Sequence, residues 1–419
     1  MNRQRKLLVS AVTAYALVLM APGRPAYGYA VFTHESIIEF SWRGSIRPLL
    51  IKRFTGATEN DLETARGYAY GGALIQDLGY FPGSNPLFSD LTHYVRSGDF
   101  AEALIKDATT LNEYAFALGA LEHYAADSTG HPLATNLAVA IYHPELKAKF
   151  GGPVTYEQDP RAHSQAELGF DVVEVVERLY QFDTYDHFTR FEIAEPLLER
   201  AFKEVYGLEL NELLSVDVAI SSYRYSVSRL LPLMTGIAWE LKRREIILKS
   251  ALGGITRSRE QVIYQFKTAP GERNKYKEPG VFKKFLIDLT FIPYELGLLK
   301  RLDYATPTEE TSKLFRASFI ASHDRYRKLL EDVEGSSLHL ENSNLDTGVL
   351  TKPGDYEMAD GAYGKLVVML SKNRFQGVRP ELRDDILAFY GDPTSPNKKM
   401  KDKVEWKTTM RAVEGLKRQ

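Results

Sequence analysis

The central motif of the chain, residues 118–136, reads LGALEHYAADSTGHPLATN. Its polar chemistry lies in His123, Asp127 and His131, and each of these follows the previous one by four residues. A helix has about 3.6 residues per turn, so this spacing places all three side chains on one helix face. Imidazole nitrogens and carboxylates are ligands that zinc prefers. The motif therefore predicts a metal-binding helix face or, alternatively, a polar stripe on a solvated helix.

Apolar residues recur at helical spacing along most of the chain, and no stretch of six or more residues alternates convincingly like a strand. We therefore predict an all-α, multi-helix fold. Thr33 is a plausible cap for the first helix. The predicted helices are 32–42, 60–74, 100–108, 111–131, 193–206, 208–233, 237–252, 308–330, 356–370, 380–390 and 401–416.

The first 28 residues have the organisation of a secretory signal peptide. Residues 1–6 contain three basic side chains, residues 7–20 form an uncharged apolar core, and residues 26–28 read Ala-Tyr-Gly, a small-x-small cleavage site. A membrane-spanning helix needs about 20 apolar residues, so a cleaved signal is preferred to an anchor. We expect a mature chain that begins at Tyr29 and is secreted or periplasmic.

The composition of the chain argues against nucleic-acid binding and limits the residue types that could bind zinc. Hydrophobic residues make up 44% of the chain and charged residues 26%, which is typical of a globular protein. Without residues 1–28 the chain has 49 basic and 55 acidic side chains, a net charge near −6. A mildly acidic protein binds nucleic acid backbones poorly, so no stable nucleic-acid partner is expected. Cysteine is absent, so any zinc site must use His, Asp and Glu.

Eight such side chains form an ordered series of candidate ligands. Its most specific parts are residues 123–132 and the sequence His-Ser-Gln-Ala-Glu at 163–167. The series resembles the zinc-dependent phospholipase C family, whose catalytic domain is shared with certain fungal single-strand nucleases. The resemblance covers roughly residues 29–248. The candidate ligands are His34, Asp77, His93, His123, Asp127, His131, His163 and Glu167.

The resemblance implies an α-helical domain that holds two to three zinc ions. It assigns Asp77, His93, His123 and Asp127 to the first zinc. It assigns His131, His163 and Glu167 to the second. The third zinc would be held by His34, by Asp127 as a bridging carboxylate, and by the amino and carbonyl groups of Tyr29.

The chain departs from the family pattern in three places. Tyr29 stands where the family usually has Trp. Two fewer residues separate Asp127 from His131 than is usual, so either this loop is shortened or the second zinc is differently placed. His143 could replace His131 or His163 as a ligand. We prefer His163, because a carboxylate, Glu167, follows it by four residues, whereas a lysine follows His143 at that distance.

The implied chemistry is phosphodiester hydrolysis. Clustered zinc ions neutralise the anionic substrate, lower the pKa of a bound water towards 7 and stabilise the leaving oxygen. Asp77 could also act as a catalytic base. The predicted function is a secreted zinc metallohydrolase of the phospholipase C type, with a phospholipid or other phosphodiester as substrate and possible peripheral membrane contact.

Two alternative functions stay open. One is a single-strand nuclease-like phosphodiesterase on the same scaffold, and the other is a non-enzymatic, zinc-stabilised helical binding protein. Glu167 favours the phospholipase, because the resembling nucleases carry Asp at this position. Eight ligands in this order favour an open cluster over a closed four-ligand structural site. We expect His187, His323 and His339 to serve surface or core hydrogen bonding.

The predicted organisation has four parts: a signal peptide at 1–28, a zinc-dependent phospholipase C-like catalytic domain at 29–252, a polar linker or excursion at 253–282, and a helical C-terminal region at 283–419. Within the last part, residues 285–299 are apolar but contain Pro293. They form either a buried helix pair or a patch that meets a lipid surface. Burial is favoured, because apolar segments of this length usually belong to a core.

Overall fold

A computed structural model describes residues 31–81, 83–171, 191–225, 304–391 and 403–419. Within these ranges the regular secondary structure is helical, and the one extended pairing is an isolated antiparallel bridge between Ser343 and Leu350. The predicted all-α fold is therefore confirmed. Also within these ranges, no helix is both long and apolar enough to span a bilayer.

Short irregular turns connect several of the helices. A π-helical turn, Trp42–Ile46, joins the first two helices, and a second one, His131–Thr135, joins the helix Leu111–Gly130 to the helix Asn136–Tyr142. A 3-10 helix, Ile75–Tyr80, follows the helix Glu59–Gly72. The α-helices are α1 (Val31–Ser41), α2 (Arg47–Arg53), α3 (Glu59–Gly72), α4 (Pro86–Tyr94), α5 (Ser97–Asp107), α6 (Leu111–Gly130), α7 (Asn136–Tyr142), α8 (Pro144–Phe150), α9 (Pro160–Phe170), α10 (Glu195–Tyr206), α11 (Leu210–Leu213), α12 (Val216–Tyr225), α13 (Glu309–Glu334), α14 (Glu357–Lys372), α15 (Pro380–Gly391) and α16 (Lys403–Lys417).

Helix α6 is the centre of the fold. It begins at a capping box, in which Thr110 and Glu113 satisfy each other's backbone N–H groups. Every residue in 114–128 is buried, and a helix buried on all sides belongs to a core. Gly119 lets α3 approach closely, since a Cβ at this position would lie 2.1 Å from the carbonyl oxygen of Ala69. The alternative of a polar stripe on a solvated helix is therefore wrong.

Helix α13 packs on α6 from the far end of the sequence. The Tyr326 hydroxyl donates to the Leu118 carbonyl oxygen at 3.0 Å. Phe315 stacks on Phe170 of α9 with ring centroids 4.9 Å apart. One hydrophobic core contains residues from both the N-terminal helices and the segments after residue 304. The domain boundaries stay a prediction, and the linker at 253–282 lies outside the described residues.

Two local predictions are wrong. Thr33 does not cap α1, because the helix already includes Val31 and the carboxylate of Asp171 accepts the backbone N–H groups of Phe32 and Thr33. The predicted helix 208–233 is divided between α11 and α12, because Leu214 adopts an extended conformation. Its residues 226–233 lie outside the described ranges, together with the predictions on 1–28, Tyr29, His187, 237–252 and 285–299.

Candidate metal centre

All eight predicted ligands within the described residues meet at one buried site around α6. His123 and Asp127 lie on α6, and His131 lies in the π turn that follows it. The other five come from α1, the 3-10 helix, α4 and α9. Three groups have candidate ligand atoms within 4.8 Å of one another: a first group of Asp77, His93 and His123; a second group of His131, His163 and Glu167; and a third group of His34, His123 and Asp127.

Asp127 lies at the middle of this site, and its side chain is fully buried. Its two oxygens lie 3.1 Å from His123 Nε2, 3.3 Å from His34 Nε2, 3.5 Å from His93 Nε2 and 3.6 Å from His131 Nε2. Burial by itself would raise the pKa of Asp127, but the surrounding imidazoles, His123 foremost, hold this pKa well below its ordinary value. Asp127 is therefore an ionised carboxylate at the junction of all three groups.

His93 and His123 face each other in a way that requires positive charge between them. Their Nδ1 atoms lie 2.8 Å from the carbonyl oxygens of Ser89 and Ala73. A carbonyl only accepts, so each Nδ1 carries the proton and each neutral Nε2 presents a lone pair. These two Nε2 atoms are 3.2 Å apart. Two lone pairs at this distance repel each other unless one nitrogen is protonated or a metal ion lies between them.

The distances in this first group match shared coordination. His93 Nε2 lies 3.3 Å from Asp77 Oδ1 and 3.2 Å from His123 Nε2. Ligand atoms about 2.0 to 2.2 Å from a tetrahedral zinc would be separated by roughly 3.3 to 3.6 Å. Without a metal, burial lowers the pKa of His93, but hydrogen bonds that His93 donates to Asp127 and Asp77 outweigh it and raise this pKa to about 10. These residues therefore fit a zinc ion.

His34 is supported by a carboxylate that the sequence did not predict. Its Nδ1 lies 3.1 Å from Glu122 Oε2, while its Nε2 faces Asp127. The His34 ring also stacks on His123, with centroids 4.5 Å apart. Burial raises the pKa of Glu122 to about 7. The signal that could have identified Glu122 is its position, because it is an acidic residue within the otherwise apolar stretch before His123.

The second group lies between the π turn and α9. His163 Nε2 lies 2.7 Å from Glu167 Oε1, and His131 Nε2 lies 3.4 Å from the same oxygen. The short spacing after Asp127 therefore does not prevent His131 from reaching this group. Burial lowers the pKa of His163 to about 3, which keeps the imidazole neutral, as a metal ligand must be.

The remaining histidines in the described ranges lie away from the centre. His143 is partly exposed and pairs with Glu145 at 3.1 Å. His323 is partly exposed, and the His339 side chain is 86% exposed. The structure thus brings His163, and not His143, into the second group.

Two further carboxylates, both missed by the sequence analysis, complete the surroundings. Asp171 accepts the N–H groups of Phe32 and Thr33 at 2.9 and 3.1 Å and the Thr33 hydroxyl at 2.7 Å, which fixes the first turn of α1 beside the site. Asp346 lies in the loop between α13 and α14, with Oδ1 3.4 Å from His131 Nδ1. Burial opposes ionisation of Asp346, yet His131 and His163 lower its pKa to about 2.

An all-α fold that gathers histidines and carboxylates into three adjoining buried groups has the ligand set of a multi-zinc hydrolase. Residues 33–215 match the family model described as zinc dependent phospholipase C. This match confirms the predicted resemblance over residues 33–215, and these residues contain all eight predicted ligands. Neither the curated proteins nor the solved structures contain a match to the chain. The assignment of each ligand to a particular zinc stays a prediction.

Proposed function

We propose that the chain is an exported phospholipase C, which hydrolyses the phosphodiester bond between the glycerol and the phosphate of a phospholipid. The observation that carries the proposal is the pair of Nε2 atoms of His93 and His123, 3.2 Å apart between the carboxylates of Asp77 and Asp127. When bound, zinc supplies neutralisation of the phosphate charge and activation of water near neutral pH. The family match supports the same chemistry.

The residues of the centre have distinct proposed roles. Asp127 bridges the groups, since its two oxygens face imidazoles of all three. Asp77 belongs to the first group and is a buried residue, only 3% exposed. In the proposed reaction this carboxylate accepts a proton from the attacking water. His131, His163 and Glu167 would hold the second zinc.

Export and N-terminal coordination are part of the proposal. They rest on the signal-like sequence of residues 1–28 and on the position of α1. Asp171 fixes the first turn of this helix, which carries His34. A free amine at Tyr29 must lose its proton to bind zinc. An added residue ahead of Tyr29 would convert this amine into a peptide amide and so remove the ligand. Protein that begins at Tyr29 should therefore bind one more zinc than protein with a short N-terminal extension. Equal zinc content in the two proteins would contradict N-terminal coordination.

The substrate class is tested by parallel assays of the zinc-loaded protein. Vesicles of phosphatidylcholine, vesicles of other phospholipids and single-stranded DNA are each incubated with enzyme, and the products are identified. We expect diacylglycerol and a phosphorylated head group from the vesicles. H143A, which alters a histidine outside the centre, should keep the activity. Hydrolysis of DNA alone would replace the phospholipase with the nuclease, and hydrolysis of neither would overturn the enzymatic proposal.

A further inference from the structure

We infer that Asp346 is a positioning residue for the second zinc. It lies beyond residues 33–215, in the C-terminal region, and it orients His131 from outside the family-matched domain. The inference rests on the zinc centre of the proposed function. It makes the C-terminal region a structural part of the metal centre.

Asp346 and Glu167 lie beside different nitrogens of the His131 ring. The Nδ1 of His131 lies 3.4 Å from Asp346 Oδ1, and its Nε2 lies 3.4 Å from Glu167 Oε1. A separation of 3.4 Å is longer than a short hydrogen bond but within ion-pair range. A carboxylate at Nδ1 favours the tautomer with the proton on Nδ1, which directs the Nε2 lone pair at the metal.

The two oxygens of Asp346 have separate tasks. Oδ2 accepts the backbone N–H of Tyr156 at 2.9 Å and the hydroxyl of Tyr356 at 2.8 Å. Oδ1 has no hydrogen-bond partner in the described part of the chain, and its contact with His131 Nδ1 at 3.4 Å is an ion-pair contact. The side chain is 1% exposed, so bulk water does not satisfy this oxygen. Oδ1 is therefore available to His131, while the tyrosines fix the orientation of the carboxylate.

The loop that carries Asp346 is built against the metal-binding helices. Its Leu345 N–H donates to the carbonyl oxygen of His93 at 3.0 Å, and Asn136 donates to the Asp346 carbonyl oxygen at 2.8 Å. Gly348 has a positive φ of 71°, and a Cβ there would lie 2.4 Å from the Ser128 carbonyl oxygen. The loop thus contacts α4, the end of α6 and the start of α7. These contacts fix the Asp346 carboxylate beside His131.

A purely structural role for Asp346 makes a different prediction. In that case the carboxylate serves only the Tyr156 and Tyr356 donors, and its loss would lower stability without changing zinc affinity. The matched control is Asp360, another buried carboxylate of the same region, which accepts the Gly354 N–H at 2.9 Å. Asp360→Asn makes the same chemical change away from the imidazoles.

The experiment measures zinc affinity by competition with a chromophoric chelator, and it measures the thermal midpoint of each protein with and without zinc. In Asp346→Asn one zinc should bind about 10 to 100-fold more weakly, as is usual when a group supporting a ligand is lost. The other zinc ions should be retained, and Asp360→Asn should bind all zinc as the wild type does. Substitution of cobalt should show a changed visible spectrum in Asp346→Asn alone.

Tyr356→Phe is the second variant, and it tests the role of Asp346 if Asp346→Asn does not fold. It removes one hydrogen bond to Oδ2, and it should weaken the same zinc several-fold. Unchanged zinc affinity in whichever of these variants folds, with only a lowered midpoint, would overturn the inference while leaving the proposed function intact. Wild-type protein that binds no zinc would overturn both.

Discussion

The first and second groups of the metal centre are supported by different kinds of acceptor. In the first group, the Nδ1 atoms of His93 and His123 each lie 2.8 Å from a main-chain carbonyl oxygen. In the second group, His131 faces the side chain of Asp346, and His163 Nδ1 has no hydrogen-bond partner within the described ranges. The first group is therefore fixed by the backbone of the helical core, and the second depends on a remote loop.

This difference has a consequence for metal binding. Ligands whose orientation is fixed before binding lose less conformational freedom when the metal arrives. The first group combines two imidazoles of fixed tautomer with two buried carboxylates, whereas the second relies on a loop more than two hundred residues away in sequence. We therefore expect the first group to bind zinc more tightly than the second.

Removal of zinc by a chelator tests this expectation, and it should produce a larger change than any single substitution. Increasing concentrations of a strong chelator should remove zinc in at least two steps, and all phosphodiesterase activity should be lost by the last. The first step should remove the zinc of the second group, which is measured by zinc content and by the cobalt spectrum of the refilled site. Release of all zinc in a single step would contradict the proposed difference between the groups.

Asp127→Asn should have the next largest effect, because Asp127 contacts imidazoles of both groups. The substitution preserves size but removes the negative charge that two cations would share. Loss of such a ligand commonly lowers affinity or activity by about 10 to 100-fold or more. Zinc content should fall in both groups, and the thermal midpoint of the zinc-loaded protein should fall with it. Loss of zinc from one group only would show that Asp127 is not a bridge.

Five of the eight candidate ligands were predictable from sequence because their spacing is local. His123, Asp127 and His131 repeat every four residues, and His163 and Glu167 show the same interval. A helix converts this interval into a shared face. The grouping of His34, Asp77 and His93 with these residues followed instead from the family resemblance. The all-α class followed from the same periodicity.

The supporting carboxylates were not predictable, because their contacts join distant segments. Asp346 reaches His131 and Asp171 reaches Thr33 across long stretches of chain, and no local pattern encodes such pairs. The same reason explains the wrong cap at Thr33, where a remote side chain took the capping role. The break at Leu214 has no glycine or proline nearby to signal it.

Glu122→Gln asks whether a carboxylate on the core helix supports its histidine as strongly as the remote one does. Gln can still accept from His34 Nδ1, but it removes the charge that makes Nε2 a better donor to a metal. One zinc should bind up to about 10-fold more weakly, measured by the same chelator competition, and the zinc of the second group should be unchanged. Unaltered affinity for all zinc ions would mean that Glu122 only fills a buried position beside His34.

The smallest expected effect comes from substitutions in two matched helix caps, one on a helix of the first group and one on the helix before the Asp346 loop. Thr110 caps α6, which carries His123 of the first group, and Thr308 caps α13, which precedes the Asp346 loop. Both belong to capping boxes with the residue three positions on. Alanine at either position should lower the free energy of unfolding by about 1 kcal/mol, and the thermal midpoint should fall by roughly 2 °C for a chain of this size. Neither substitution touches a ligand, so zinc affinity should be unchanged in both variants, as measured by chelator competition. If Thr308→Ala alone weakened the zinc of the second group, the loop's support would depend on the global stability of the C-terminal helices and not only on the local contacts of Asp346.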